Sequence, residues 1–178
     1  MRGMEKDLVI IDRRDYLQNK RWMEPEILFV VRAGTGWIDV RMTDGLVYRR
    51  EGGSLSWRYN NPGNIKFGKF ARTHRAVGQG WEGHSVFPTY TLGRRAKYDL
   101  LFSPRKKYYK LSIRDAMRYY APRSDQNRPD IYARFVANKI PGATVHTKLR
   151  DLNSDQREIL LGAMQKFEGF RSGVVRIL

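Results

Sequence analysis

The period of the hydrophobic pattern changes once along this chain, and that change bounds what it can fold into. Residues 27–50 read as β: "ILFVV" is a short apolar run, "WIDVRM" alternates, and "TDG" makes a hairpin turn before "LVYRR". After Gly52–Gly53 come turn-rich loops through Gly83, then an apolar "SVFPTY". From Thr91 onward the apolar residues recur at three and four, the spacing of a helix face. The first helix is expected after Thr91 as N-cap, carrying Leu92, Ala96 and Leu100. A second opens at Ser112 and Asp115, a capping-box pattern, with Ile113, Ala116, Met117 and Tyr120 on one face and Pro122 as its stop. A third follows Pro129 with Ile131, Phe135 and Val136. A fourth opens at "NSDQ", carries Leu160, Ala163, Met164 and Phe167, and stops at Gly169. The expected fold class is α+β, mainly α. A small β-hairpin portion occupies residues 1–50 and a helical domain residues 51–178.

Charge divides the chain at the same place. Residues 1–50 carry 10 Lys/Arg against 8 Asp/Glu, and residues 51–178 carry 24 against 10, so the excess is +2 before the boundary and +14 after it. A field of that size attracts polyanions: nucleic acid, an anionic membrane, or the anionic polymers of bacterial walls. The chain has no cysteine, which excludes disulfides and thiolate metal sites. His74, His84 and His146 are its only histidines and no two have a ligand spacing, so no metal is expected. No apolar run approaches the 18 residues of a membrane span, and the opening "MRGMEKDLVIIDRRDYL" lacks a signal peptide's apolar stretch. Action outside a cytoplasm would therefore need a dedicated delivery system.

Carboxylates are scarce in the basic part. Glu168 sits at the last turn of the fourth helix, where the helix dipole disfavours a negative charge and where Phe167 and Phe170 flank it. Both effects raise a carboxyl pKa, which suits a general acid. The competing expectation is that Glu168 pairs with Lys166, Arg171 or another base. Glu82, beside Trp81 in a Gly-rich loop, and Glu51, after two arginines, are the candidates for a second acid. A solvated loop acid and a surface ion pair are their ordinary explanations. The stretch "WRYNNPGNIKFG" interleaves amides, bases and rings. Its Pro62–Gly63 reads as a type II turn with φ > 0 at the glycine. Trp57, Tyr59, Asn60, Asn61 and Asn64 there, with Trp81 and with Tyr120 on the second helix, are candidate carbohydrate contacts. Tyr119 and Tyr132 are further candidate groove walls, although tyrosine in an amphipathic helix is more often core.

Four segments, "WRYNNPGNIKFG", "VFPTYTLGRRAKYDLL", "YYAPRSDQNRPDIY" and "FEGFRSG", follow one another across residues 51–173. In that order they resemble the four segments of a family of phage-associated and secreted bacterial domains. Two positions depart from the pattern: Tyr59 stands for an asparagine in the turn motif, and "SDQN", with Asp125, replaces an acid–asparagine pair. The family comprises phage tail or virion lysins and type VI secretion effectors. The resemblance implies a lysozyme-like fold and a muramidase or lytic transglycosylase activity on peptidoglycan, with no cofactor. A more distant similarity to flagellar-type glucosaminidases, whose catalytic acid lies in an E-S-G-W-G segment, allows two positions for the acid. Linear order puts it near Glu51, and a permuted order puts it at Glu168 in "FEGFRSG". The helix-end argument favours Glu168.

The expectation is an enzyme that cleaves peptidoglycan glycan strands, as a secreted antibacterial effector or a phage lysin acting in the target cell's periplasm or wall. Asn60, Asn61 and Asn64 would form the floor of its groove. An immunity protein or a secretion or tail component would be a further partner, and nucleic acid is not expected. The alternatives are a non-catalytic wall-binding or virion structural module, and a basic toxin acting on nucleic acid.

Overall fold

In the computed structural model the described residues are 24–122 and 128–178; Asp125 and the first 23 residues lie outside them. The first elements among the described residues are three antiparallel strands, β1 (Ile27–Gly34), β2 (Trp37–Met42) and β3 (Val47–Glu51). Ile38 and Val40 alternate onto one face of β2 and are fully buried against Ile27, Tyr59 and Val86. Asp39 points to the opposite face, where its carboxylate accepts Arg32 Nε at 2.7 Å and Arg49 Nε at 2.7 Å. Both arginines are its cross-strand register partners, and both guanidinium groups lie over the Trp37 ring. Arg49 is the main cause holding the Asp39 carboxyl below its usual pKa. This cross-strand row of three side chains, with the buried face opposite, sets the register of β1, β2 and β3.

The connecting region holds two short helices, α1 (Leu55–Arg58) and α2 (Lys69–Thr73), and a two-residue ladder of β4 (Gly78–Gln79) with β5 (Ser85–Val86). Four longer helices follow: α3 (Tyr90–Phe102), α4 (Ile113–Tyr120), α5 (Pro129–Ala137) and α6 (Ser154–Phe167). Ser112 caps α4 by accepting from Asp115 N–H, and Asn153 with Gln156 forms a full capping box on α6. The cap of α3 is Thr89, which accepts from Leu92 N–H, two residues before the expected Thr91. Leu101, Ile113, Met117, Leu149, Leu160 and Met164 are fully buried at the centre of the helical core. Each such side chain contributes about 1.5–3 kcal/mol of apolar transfer.

A last strand, β6 (Val174–Ile177), returns from the C-terminus and pairs antiparallel with β3, giving the sheet order β1-β2-β3-β6. This corrects the expectation of a mainly helical, lysozyme-like domain carrying a small hairpin. Among the described residues 42% are helical and 21% strand, a mixed α and β fold with a four-stranded antiparallel sheet. The physical reason is the fourth strand: "VVRI" is too short to announce itself locally and is stabilised only by the β3 edge it meets. Among the described residues no helix is long and apolar enough to cross a membrane.

Candidate active site

The asparagine turn is built inward. Asn61 is fully buried; its Nδ2 donates to Ile65 O and Ser85 O, both at 2.9 Å, and its Oδ1 accepts from Ile65 N–H at 3.0 Å. Asn60 Nδ2 donates to Phe87 O at 3.1 Å, and its Oδ1 accepts from Arg50 Nη1 at 2.8 Å. Burial depresses the Arg50 guanidinium to a pKa of about 10. These two amides therefore satisfy the backbone of the turn and of the segment around β5, where an unpaired polar group would be costly. Neither lines the cleft at Glu168; Asn60 borders a separate recess with Trp57, Tyr90 and Phe170. Positive φ falls on Asn60 (52°) and Asn64 (46°), not on Gly63 as a type II turn would require. Asn64 alone of the three is exposed.

What the turn presents outward is carbonyl oxygen. Pro62 O accepts from Lys97 Nζ at 2.9 Å, and Gly63 O accepts from Tyr120 Oη at 2.9 Å. Lys97 lies on α3, which can approach this closely because Gly93 has no side chain: a Cβ there would sit 1.8 Å from Asn60 O. Lys97 is fully buried, and its Nζ also lies 3.0 Å from Glu168 Oε1. Tyr132 Oη, from α5, donates a short hydrogen bond to the same oxygen. Glu168 caps the C-terminus of α6, with its N–H bonded to Met164 O and Lys166 O. Turn, α3, α5 and α6 thus converge on one carboxylate.

Glu168 opens into a cleft of about 530 Å³ walled by Tyr108, Tyr120, Tyr132 and Phe167, with Asn64, Lys66 and Arg128 also lining it. Its side chain is 14% exposed. The Phe167 ring stacks on Tyr132, with centroids 4.2 Å apart and planes within 10°. Both hydrogen bonds fall on Oε1, so Oε2 receives neither. Burial lowers the Lys97 pKa, and the Glu168 charge opposes that shift. Burial, then the Glu168 charge, push Tyr120 and Tyr132 well above the usual phenol value, so both remain neutral donors.

The other sequence candidates are dispersed. Glu51 ends β3 and pairs with Arg176 Nη2 at 2.6 Å. Glu82 is exposed at positive φ (60°) in a 3-10 turn, and with half-exposed Trp81 it borders a separate groove along β1. Tyr59 is core: it is 1% exposed and its Oη accepts from Trp81 N–H at 2.9 Å. Trp57 is half-buried under the Arg50 guanidinium and borders a recess with Tyr90 and Phe170. Phe170 contacts Tyr90 edge-on, so of the two aromatics flanking Glu168 only Phe167 reaches the cleft. Tyr119 is exposed beneath Lys107 Nζ. The structure therefore brings together Glu168, Asn64, Tyr120 and Tyr132, and leaves Glu51, Glu82, Trp57, Tyr59 and Trp81 elsewhere.

Lys97 was missed in the sequence, although a signal was present. It lies on the stripe Gly93, Ala96, Lys97 and Leu101, all buried, where an unpaired lysine is not tolerated. Among the described residues no three His, Asp or Glu side chains converge as a metal site requires. No model of a known protein family matches the chain, and no curated protein matches it.

Proposed function

We propose that this protein cleaves the glycan strands of bacterial peptidoglycan, with Glu168 as the proton donor. The observation that carries this is a single carboxylate, held at Oε1 by an ammonium and a phenol, in a cleft walled by rings. Aromatic walls suit the flat faces of sugars. Protonated Glu168 gives its proton to the glycosidic oxygen as the C1–O bond breaks and its electron pair leaves with that oxygen. The carboxylate that remains is stabilised by Lys97 and Tyr132 and faces the positive charge developing at C1.

Among the described residues the cleft holds no second carboxylate. That favours completion by the substrate itself. Its 6-hydroxyl oxygen attacks C1, Glu168 takes the hydroxyl proton and is regenerated, and a 1,6-anhydro product leaves, the transglycosylase outcome. Delivery by a secretion or tail apparatus to the target periplasm accompanies this reading.

One observation favours a second reading, a wall-binding module without catalysis: Glu168 neutralises a buried lysine, which a purely structural ion pair would also do. Mass analysis of sacculi digested by wild type and by Glu168→Gln separates the two. Anhydro-muropeptides from wild type alone are the expected result. Binding to sacculi without released products favours the binding module, and full activity in Glu168→Gln overturns the assignment of the acid.

A further inference from the structure

We propose that the cleft selects glycans bearing a free carboxylate, and that Lys66 and Arg128 are the residues that recognise it. This rests on the glycan-strand reading above and names which part of the strand the site requires.

Lys66 is held in place before any ligand arrives. Its backbone forms an isolated β-bridge with His84, and its Nζ donates to Glu82 O at 2.8 Å and to His84 Nε2 at 2.9 Å. The imidazole is set for this role: Nδ1 lies 3.2 Å from Asn64 O and donates to it, which leaves Nε2 as an acceptor. Both partners of Lys66 are neutral, since Glu82 meets it through its backbone carbonyl and not its carboxylate. An ammonium has three N–H groups, so one donor and the whole charge remain for something else. Arg128, at the start of α5, is exposed and makes no ion pair among the described residues.

The charge of the cleft is therefore uneven in a defined way. Glu168 is balanced by Lys97, whereas Lys66 and Arg128 line the same cleft with no acid paired to them among the described residues. A neutral sugar could stack on the tyrosines yet would leave both cations unmatched. A carboxylate would take the free N–H of Lys66 and the planar fork of Arg128, which are the stronger, charge-assisted kind of hydrogen bond. In peptidoglycan such a group has two sources: the lactyl ether of a stem-free muramic acid, or the peptide stem.

The test is titration of soluble glycan oligomers against wild type, Lys66→Gln, Arg128→Gln and the double variant. Lys69→Gln serves as the control, because Lys69 is exposed and outside this cleft. Oligomers with native stems, with amidated stem carboxylates, with stems removed, and neutral chitin oligomers of equal length are compared. The expected result is about tenfold weaker binding of the carboxylate-bearing oligomers for each single variant, with chitin binding unchanged. Loss of wild-type affinity on amidation identifies the stem as the source. Retained affinity for stem-free oligomers identifies the lactyl group. Equal wild-type affinity for chitin overturns the proposal, as does an effect of Lys69→Gln as large as that of Lys66→Gln, which would mean attraction by bulk charge. Binding is read apart from product release, so selective binding without cleavage would sink the proposed reaction and leave this inference standing.

Discussion

Lys97 Nζ lies 3.0 Å from Glu168 Oε1, although 71 residues separate them in sequence. The lysine is also bonded to Pro62 O, so a single ammonium ties the asparagine turn to the end of α6. That arrangement makes the turn a support for the acid, while its Gly63 and Asn64 line the same cleft.

Removing one member of this pair leaves the other buried or half-buried and uncompensated. Lys97→Met is expected to destabilise the fold by about 3–5 kcal/mol. In urea unfolding, Lys97→Met/Glu168→Gln should cost less than the sum of its single variants by about 1–3 kcal/mol. Additive costs would show that the two side chains do not interact in solution.

Asn61 and Asn64 are one type of residue in two roles. Asn61→Ala removes three hydrogen bonds and strands buried backbone groups, so a loss of about 2–4 kcal/mol is expected. Asn64→Ala should cost only about 1 kcal/mol, the penalty for holding alanine at φ 46°. Chemical denaturation of the two variants distinguishes them.

Two helical glycines predict opposite signs. Gly93→Ala would place a Cβ 1.8 Å from Asn60 O, so α3 and the turn must separate, at a cost of about 3 kcal/mol or more. Gly162→Ala, in α6, meets nothing within 4 Å and is expected to stabilise by about 0.5–1 kcal/mol. Melting temperatures of the two variants should move in opposite directions.

Burial, and then the charge of Lys66, hold the His84 imidazole below its ordinary pKa of 6.5. The unfolded chain therefore binds a proton at His84 more readily than the folded one. Stability from this group is fully present above about pH 6.5 and is lost as pH falls from there through the lower folded pKa. Unfolding free energies measured between pH 7.5 and 5 should decline. His84→Gln should flatten that decline, and an unchanged slope would assign it to other groups.

Much of the helical part was legible because its signals are local. Ser112 with Asp115, Asn153 with Gln156, and Gly169 at φ 68° each act within three or four residues of chain. At α3 the expected cap is Thr91 and the one formed is Thr89, two residues earlier. The sheet was half legible: the alternation in β2 and the turn before β3 are short-range, whereas β6 reaches β3 across more than a hundred residues. At the site, the helix-end position of Glu168 was readable and its partners were not. Lys97, Tyr132 and the carbonyl of Pro62 come from three separate segments.

By itself the amino-acid sequence determined the caps of α4 and α6, the buried stripes, the concentration of positive charge after residue 50, and a lone glutamate at a helix end. All of these follow from the chemistry of neighbouring residues. Only the tertiary structure decided that Asn60 and Asn61 face inward, that Glu51 and Glu82 stand apart from Glu168, and that Lys97 holds the acid. Those outcomes depend on which distant backbone groups and charges must satisfy one another once water is excluded. Such matching exists only after the elements have packed.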